Sequence, residues 1–357
     1  MRYIRQEIFK EVGKKGQEKL RNSTIVIVGL GALGSVSAEL LARAGIGKLV
    51  LIDRDIVELS NLQRQSLFDE NDIGKPKALA AKEKLIKINS EIKIDFYIDD
   101  LNFENIGKII NAKNADLILD CTDNLETRFL INDFCIKNKM SFIHSSAVGS
   151  KGYLFNILPE KNSPCLRCFL KEATQLETCE TFGVLNSITH TISSIQANEA
   201  IKILVDKESN ASEHRSVTWR ASLVSRASQI TRTRSQLPEK NLLFFDVWKN
   251  ELLKIKVNKN SKCICCTRND FEYLSGKKSS RIIKMCGNDV YQIKNEPMNK
   301  IQFNDLKNKL KKIGKVIDFK YCINFYNKMT IFENGRALIK AKSEKEAKSL
   351  YSRFVGN

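Results

Sequence analysis

A run of polar side chains follows a glycine-rich loop in this sequence. The run is Ser60-Asn61-Leu62-Gln63-Arg64-Gln65, and Asp53, Asp55 and Lys77 flank it in the chain. Cations in such a place can hold a triphosphate, because negative charge develops on the α-phosphate and on the departing pyrophosphate when a nucleophile attacks. A redox dinucleotide undergoes no phosphoryl chemistry. The run therefore favours ATP cleavage over hydride transfer.

The glycine-rich loop is Gly29-x-Gly31-x-x-Gly34, which follows the apolar stretch Ile25–Val28. Glycines permit a tight turn and a close approach of the backbone to a phosphate, which the N-terminus of the next helix attracts. A second apolar stretch, Lys48–Ile52, ends at Asp53, where a carboxylate can accept hydrogen bonds from ribose hydroxyls. Because dehydrogenases use the same loop, a nicotinamide or flavin dehydrogenase stays an alternative.

A third apolar stretch, Ala115–Asp120, leads into Cys121-Thr122-Asp123-Asn124, and Arg128 comes one turn later. Ligands of open α/β sheets bind beyond the carboxyl ends of the strands. Asp123 is therefore placed to give Mg²⁺ on a triphosphate an oxygen ligand. Its alternative role is to cap the helix that we predict to begin near Leu125.

Two pairs of the ten cysteines have the spacing of metal ligands. Cys165-Leu166-Arg167-Cys168 and Cys263-Ile264-Cys265-Cys266 can each give two thiolates to a tetrahedral Zn²⁺. The alternative is redox-active or incidental cysteines, and the extra thiol of Cys265 leaves open which residues of the second group bind. Four other cysteines are expected to pack as small apolar residues: Cys121, Cys135, Cys286 and Cys322.

Together with Gly74-x-Pro76-Lys77, these motifs resemble the ThiF/MoeB/HesA adenylyltransferases, prokaryotic relatives of ubiquitin-activating enzymes. The resemblance runs from Arg2 to about Cys266. It implies an enzyme that uses ATP and Mg²⁺ to adenylate the C-terminal carboxylate of a small ubiquitin-like sulfur carrier ending in Gly-Gly, with release of pyrophosphate. A cysteine desulfurase or a rhodanese would supply sulfur, and the pathway would be that of thiamine, molybdopterin or tRNA thiolation.

The resemblance also implies roles for single residues. Asp53 would hold the ribose and Asp123 the Mg²⁺, while Asn61, Arg64 and Lys77 would hold the phosphates. The whole set that it places around the nucleotide is Gly29, Gly31, Ala32, Gly34, Asp53, Asp55, Asn61, Gln63, Arg64, Lys77, Asp123, Asn124 and Arg128. Many members have a further glycine where this chain has Ala32. The family resemblance also supports structural zinc at Cys165, Cys168, Cys263 and Cys266.

Two further residues match catalytic positions of the family. Arg5 matches an N-terminal arginine that reaches the ATP of the partner subunit, which implies a homodimer. Cys179 lies in the loop where thioester-forming relatives carry an acceptor cysteine, and its thiolate could attack the acyl-adenylate to give a thioester or, after sulfur loading, a persulfide. Glu177 and Glu180 flank Cys179 and would raise its pKa, and some members keep a cysteine there without needing it, so this role stays open.

Charge divides the chain unevenly. The net charge is +18, and residues 270–357 hold 19 lysines and arginines against 9 aspartates and glutamates. We predict a small α+β domain there, with Asn334-Gly335 at the turn of a hairpin. An Arg-, Ser- and Thr-rich insert at about residues 206–240 is expected to be a mobile loop, with docking of an acidic carrier as a second use.

The predicted fold class is α/β, with a doubly wound, mainly parallel Rossmann-like sheet in residues 1–269 and a crossover region stapled by zinc. Apolar runs are too short for a membrane span and no signal peptide is evident, so we expect a cytoplasmic protein. The lysine-rich helix of the C-terminal domain lacks interleaved aromatic residues, so nucleic-acid binding is not expected. The remaining alternatives are a tRNA-modifying adenylating dehydratase and a non-catalytic basic binding module.

Overall fold

The structure of the chain, a computed structural model, describes residues 2–159, 163–170, 182–206, 238, 240–278, 282–284, 289–293, 300–326 and 328–356. For residues 282–284, 300 and 301 only the backbone is described. Cys179, Cys286 and almost all of the predicted Arg-rich insert lie outside these ranges.

An eight-stranded sheet, in the order β3-β2-β1-β4-β5-β6-β7-β8, is the centre of the first unit. Strands β1 to β5 pair in parallel, and β6 to β8 continue the sheet in antiparallel pairs. The strands are β1 (Thr24–Val28), β2 (Lys48–Ile52), β3 (Lys93–Tyr97), β4 (Leu117–Asp120), β5 (Phe142–Val148), β6 (Lys151–Ile157), β7 (Leu242–Asp246) and β8 (Glu251–Ile255).

Helices cover both faces of this sheet. They are α1 (Ile4–Ile8), α2 (Gly13–Asn22), α3 (Gly34–Ala44), α4 (Lys77–Ile88), α5 (Ile106–Ile109), α6 (Leu125–Asn138) and α7 (Asn186–Asp206). Short 3-10 turns occur at Leu59–Asn61, Glu70–Asp72 and Leu166–Cys168.

Strand β1 explains why helices are needed on both faces. Because side chains of a strand alternate between its faces, Ile25 and Ile27 enter one hydrophobic core while Val26 and Val28 enter another. The first core contains apolar residues of α3, α4 and α7, and the second contains those of α5 and α6. The prediction of an α/β fold with a large, mostly parallel sheet is confirmed.

Helix α7 is longer than its sequence predicts. Apolar residues at helical spacing, such as Ile195, Ala200 and Leu204, predict a helix from Ser193 to Val205, whereas α7 begins at Asn186. The additional turns are amphipathic, because Ile188 and Ile192 are fully buried while Ser187 is exposed and His190 is half-buried. The polar residues that interrupt the apolar pattern, such as Gln196, are themselves buried and hydrogen-bonded.

The second unit is a six-stranded antiparallel sheet in the order β11-β12-β13-β14-β10-β9. Its strands are β9 (Ile282–Lys284), β10 (Val290–Ile293), β11 (Val316–Asp318), β12 (Cys322–Phe325), β13 (Met329–Phe332) and β14 (Ala337–Lys340), and its helices are α8 (Lys300–Ile313) and α9 (Glu344–Phe354). The predicted hairpin turn lies between β13 and β14, with Gly335 at φ +82°.

The two units contact each other. Phe332 and Leu338 of the second sheet pack against Ile56 and Ile98, which follow β2 and β3 of the first. Tyr273 lies beyond residue 269, the predicted domain boundary, yet it packs against Phe129 in a core of the first unit. The boundary itself stays a prediction. In the part of the chain described, no helix is both long and apolar enough to cross a membrane.

Candidate functional site

The carboxyl ends of β1, β2 and β4 meet at one edge of the large sheet. Val28 ends β1 and is in register with Ile52 on one side and with Asp120 on the other. The chain continues from these ends into Gly29, whose N–H donates to the Ile52 carbonyl at 2.8 Å, and into Cys121, whose N–H donates to the Val28 carbonyl at 2.9 Å. This edge is the point where the strand order reverses, which is where open α/β sheets bind ligands.

The three glycines of the loop have different surroundings. A Cβ on Gly29 would lie 2.7 Å from the Cys121 carbonyl oxygen, and a Cβ on Gly34 would lie 1.8 Å from the Gly29 carbonyl oxygen. Beside Gly31 the nearest atom would be Gln65 Nε2, 3.8 Å away. Gly29 and Gly34 therefore permit close backbone packing, whereas Gly31 borders space in front of the N-terminus of α3. That helix has no side-chain cap, so its first N–H groups can receive a phosphate.

Asp53 ties the end of β2 to the glycine loop. Its Oδ2 accepts from the Leu30 N–H at 2.5 Å, and its Oδ1 accepts from the Asp55 N–H at 2.7 Å. Burial raises the pKa of the Asp53 carboxyl to about 6; the negative charge of Asp55 adds to this effect and the positive charge of Lys77 opposes it. Each carboxylate oxygen has a second lone pair, so Asp53 can still accept a ribose hydroxyl.

Lys77 begins α4 and brings a buried cation to the same edge. Its Nζ lies 3.3 Å from Asp55 Oδ2. Burial alone would lower the pKa of Lys77, but the charges of Asp55, Asp53 and Asp123 outweigh it and the pKa is raised. For Asp55, burial would raise the pKa, but Lys77 and Arg54 lower it. A charged ammonium group is therefore held beside three carboxylates.

The polar run after β2 has mainly local contacts. Asn61 is buried, and its Oδ1 accepts from the Glu58 N–H at 3.1 Å. Arg64 donates from Nη1 to the Ser60 carbonyl at 3.0 Å, and Gln63 is exposed. These contacts fix the turn that faces the crevice, while the predicted phosphate contacts of Asn61, Gln63 and Arg64 stay predictions.

The sequence allows Asp123 to be either a ligand of Mg²⁺ or the cap of α6, and the loop after β4 shows that a different residue is the cap. The side chain of Asn124 accepts from the Thr127 N–H at 2.8 Å, so Asn124 is the cap of α6. Asp123 is exposed, and its carboxylate is not needed for that cap. Arg128 donates from Nε and Nη2 to the Thr122 carbonyl at 3.2 and 2.6 Å, which holds this loop in place.

Three side chains that lie near the site were not among the site residues predicted from the sequence. Arg54 lies between Asp53 and Asp55, and its Nη1 is 3.0 Å from Asp100 Oδ1. Gln65, next to Gly31, is buried, and its Oε1 has no hydrogen-bond partner among the described residues. His144 Nδ1 lies 2.7 Å from Asp120 Oδ2 beneath the β4 loop.

Position along the chain could have indicated Arg54 and Gln65, since both lie within the motifs that identified their neighbours. The pairing of His144 with Asp120 has no such signal, because it depends on the register of two parallel strands, β4 and β5.

Arg5 is not brought to the site of its own chain. It is exposed on α1, whose neighbour Gln6 donates from Nε2 to the Ala44 carbonyl at the end of α3. Tyr3 accepts at its hydroxyl from Asn89, which follows the end of α4. Helices α3 and α4 begin at the edge of the sheet where β1, β2 and β4 end, so α1 lies toward the opposite edge. Ala32 is half-buried within the glycine loop.

The two cysteine pairs converge into one cluster. The sulfur atoms of Cys165, Cys168, Cys263 and Cys266 all lie within 4.8 Å of one another, and three of the pairs are 4.0, 3.6 and 3.5 Å apart. Tetrahedral zinc with bonds of about 2.3 Å places its sulfur ligands roughly 3.8 Å apart, so the four thiols fit the ion. Cys265 is buried beside the cluster and accepts from Asn132 Nδ2 at 3.2 Å. Cys121, Cys135 and Cys322 are buried, as predicted.

A doubly wound sheet with a glycine loop, a buried carboxylate at the end of its second strand and a buried lysine at its switch point defines a class of α/β nucleotide-binding proteins. Residues 3–265 match the ThiF family, and the chain belongs to that family.

Curated relatives agree with this placement, and solved structures show the same kind of fold. The chain is 34% identical over 366 residues to the Sulfur carrier protein ThiS adenylyltransferase of Bacillus subtilis, with 99% of each chain covered. It is 39% identical over 234 residues to the protein of the same name from Escherichia coli, covering 64% of this chain and 92% of that protein. Among solved structures, E. coli MccB with MccA-N7isoASN is similar in fold, at a TM-score of 0.60 and 21% identity over 74% of this chain and 75% of that chain.

Proposed function

We propose that this chain uses MgATP to adenylate the C-terminal glycine carboxylate of a small ubiquitin-like sulfur carrier. A carboxylate oxygen of the carrier attacks the α-phosphorus, the bond from that phosphorus to the bridging oxygen of the β-phosphate breaks, and pyrophosphate leaves. The product is a carrier acyl-adenylate. The relatives named as adenylyltransferases of the carrier ThiS support this substrate class, and the similarity to the first of them spans nearly the whole chain.

The observation that carries the proposal is the buried charge group of Lys77 with Asp53 and Asp55 at the glycine-loop edge. Lys77 and Arg64 would bind phosphate oxygens, Asp53 would bind the ribose, and the exposed carboxylate of Asp123 would be a ligand of Mg²⁺. The ion, when bound, neutralises charge on the phosphates. Preorganised cations at this place stabilise the charge that develops as pyrophosphate departs.

Three further parts belong to the same proposal. Zn²⁺ would be held by the four-cysteine cluster as a structural ion. Arg5 would act across a homodimer, since its position on α1 excludes contact with the nucleotide of its own chain. A cysteine desulfurase or rhodanese would then supply sulfur, with Cys179 as the residue that could receive the acyl group. The thiols favour a reducing compartment such as the cytoplasm.

ATP–pyrophosphate exchange tests the proposal directly. We expect exchange that requires Mg²⁺ and a carrier ending in Gly-Gly, and none with the same carrier lacking its last glycine. Asp123→Asn should lower exchange by about 100-fold or more, as expected for loss of a metal ligand in an electrostatically stabilised transition state. The matched control is Asp305→Asn, because Asp305 is exposed on α8. Exchange that is absent with every carrier tested, or that is unchanged by Asp123→Asn, would overturn the proposal.

A further inference from the structure

An arginine of the C-terminal unit is buried at its contact with the nucleotide-binding unit. Arg336 lies in the turn between β13 and β14, and its side chain is fully buried. The guanidinium stacks on the Phe332 ring, 3.7 Å from the ring centroid. Its Nη1 donates to the Arg54 carbonyl at 2.7 Å and to Gln292 Oε1 at 3.1 Å. One side chain therefore bonds both units.

The bonds around Arg336 form a closed ring. Gln292 donates from Nε2 to Asp100 Oδ2 at 2.9 Å, and Asp100 Oδ1 is 3.0 Å from Arg54 Nη1. Arg336 completes the ring by binding the Arg54 main chain and Gln292. Two members come from each unit, so any shift of the C-terminal sheet changes a bond to Arg54.

Arg54 connects this ring to the nucleotide site. It lies between Asp53, whose carboxylate holds the glycine loop, and Asp55, which faces Lys77. The Asp55 carbonyl also accepts from the Lys77 N–H at 2.9 Å. The positive charge of Arg336 is one of the charges that lower the pKa of Asp55, after those of Lys77 and Arg54 and against the effect of burial. The main chain that Arg336 holds is therefore the segment that positions the site.

Stability of the C-terminal sheet does not account for this arginine. A buried guanidinium costs desolvation free energy, and well-packed apolar side chains of similar volume often stabilise a protein as much or more. Here Nε and Nη2 have no hydrogen-bond partner among the residues the structure describes, so the charge is only partly compensated. What the arginine supplies is a fixed geometry between the two units.

We propose that Arg336 is a positioning residue of the nucleotide site, which holds the Arg54 main chain so that Asp53 and Asp55 face the ribose and Lys77. The inference deepens the proposed function and rests on it, because it requires ATP at this edge of the sheet. Thermodynamic reciprocity adds a consequence: if docking of the hairpin favours nucleotide binding, nucleotide binding favours docking of the hairpin to the same degree.

Binding of MgATP to the full-length chain, measured by calorimetry without a carrier, tests the inference. We expect Arg336→Met to raise the Kd of MgATP by about 10-fold or more, the loss expected when a hydrogen bond from a charged donor no longer orders the site. Arg336→Lys, which can still donate to the Arg54 carbonyl, should recover part of the affinity. Arg353→Met is the matched control, because Arg353 is exposed on α9. The kcat of exchange at saturating ATP should change far less than the KM for ATP.

A purely structural role would predict a different pattern, in which the variant unfolds more easily but the folded fraction binds MgATP as the wild type does. Thermal unfolding without nucleotide distinguishes the two roles.

If Arg336→Met does not fold, hydrogen exchange on the wild type tests the inference instead. MgATP should then slow the exchange of amides in residues 329–340. A folded Arg336→Met variant with wild-type affinity, or no added protection of that hairpin, overturns the inference. If the wild type exchanges pyrophosphate and Arg336→Met does so with the same KM for ATP, this inference alone is refuted. A wild type that binds no MgATP refutes the proposed function with it.

Discussion

Lys77 Nζ lies 3.3 Å from Asp55 Oδ2, and the negative charges of Asp53 and Asp123 help to raise the pKa of this buried lysine. The ammonium group is thus oriented by carboxylates from the ends of two strands before any nucleotide arrives. Such preorganisation lets a cation stabilise a transition state without first reorganising its surroundings.

Lys77→Met should lower kcat/KM for ATP in the exchange reaction by about 100-fold, or roughly 2.7 kcal/mol of transition-state stabilisation. Lys87→Met is the control, since Lys87 is exposed on the same helix. Steady-state kinetics with varied ATP give both values. Equal effects of the two substitutions would mean that the lysine of the site has no special role.

Alanine at two glycines of the loop should separate nucleotide binding from folding. Gly31→Ala places a methyl group no closer than 3.8 Å to its nearest neighbour, Gln65 Nε2, so the free energy of unfolding should change by less than about 1 kcal/mol while MgATP affinity falls. Gly34→Ala forces a methyl group against the Gly29 carbonyl and should destabilise the fold by more than about 3 kcal/mol. Denaturant unfolding and calorimetry on both variants measure these effects. Unchanged ATP affinity in Gly31→Ala would show that the phosphates lie elsewhere.

The raised pKa of Asp53, about 6 in the folded chain, predicts a pH dependence of stability. The unfolded chain binds this proton less tightly, so the Asp53 contribution to stability is present below its unfolded pKa near 4 and is lost as the pH rises through 6. The free energy of unfolding of Asp53→Asn, minus that of the wild type, should therefore rise by up to about 3 kcal/mol from pH 4 to pH 7. Denaturant titrations at several pH values give this difference, and parallel profiles for the two proteins would contradict the assignment.

The cysteine cluster predicts which thiols a metal needs. The purified protein should contain about one zinc per chain, and Cys263→Ser should lose it together with several kcal/mol of stability. Cys265→Ser should keep the metal, because the Cys265 sulfur faces Asn132. Elemental analysis and thermal unfolding on the three proteins give the result. Loss of zinc from Cys265→Ser but not from Cys263→Ser would mean that the ligand set is wrong.

Complementation tests the role of Arg5 across a dimer. Arg5→Ala and Lys77→Met should each be nearly inactive alone, yet a dimer of one copy of each contains one site with both residues intact. Random mixing after co-expression should restore about a quarter of wild-type exchange. A mixture as inactive as its parents would argue that Arg5 does not act in trans.

Much of the large sheet could be predicted because its strands are short apolar runs that end in polar residues. Lys48–Ile52 followed by Asp53 is one such run. The start of α7 at Asn186 was missed, because buried polar residues such as Ser193 and Gln196 break the apolar period that marks a helix face.

The sequence indicates which residues lie near one another where a motif is local, but not where a contact joins distant parts of the chain. The glycine loop, Asp53 and Lys77 were found from spacing, and the structure brings them together. Arg336 and the Arg54 carbonyl are 282 residues apart in the chain, and their bond depends on how two sheets pack. No periodicity or spacing within a single sequence encodes such a contact.

The closeness of the four cysteines has a chemical cost. Three pairs of their sulfur atoms lie 3.5 to 4.0 Å apart, where a modest movement brings two atoms to the roughly 2.0 Å of a disulfide. A bound metal ion would keep these thiolates apart and unreactive toward each other. A chain that lost its metal in the presence of an oxidant would become crosslinked at this cluster, and it could not take up the ion again until it was reduced.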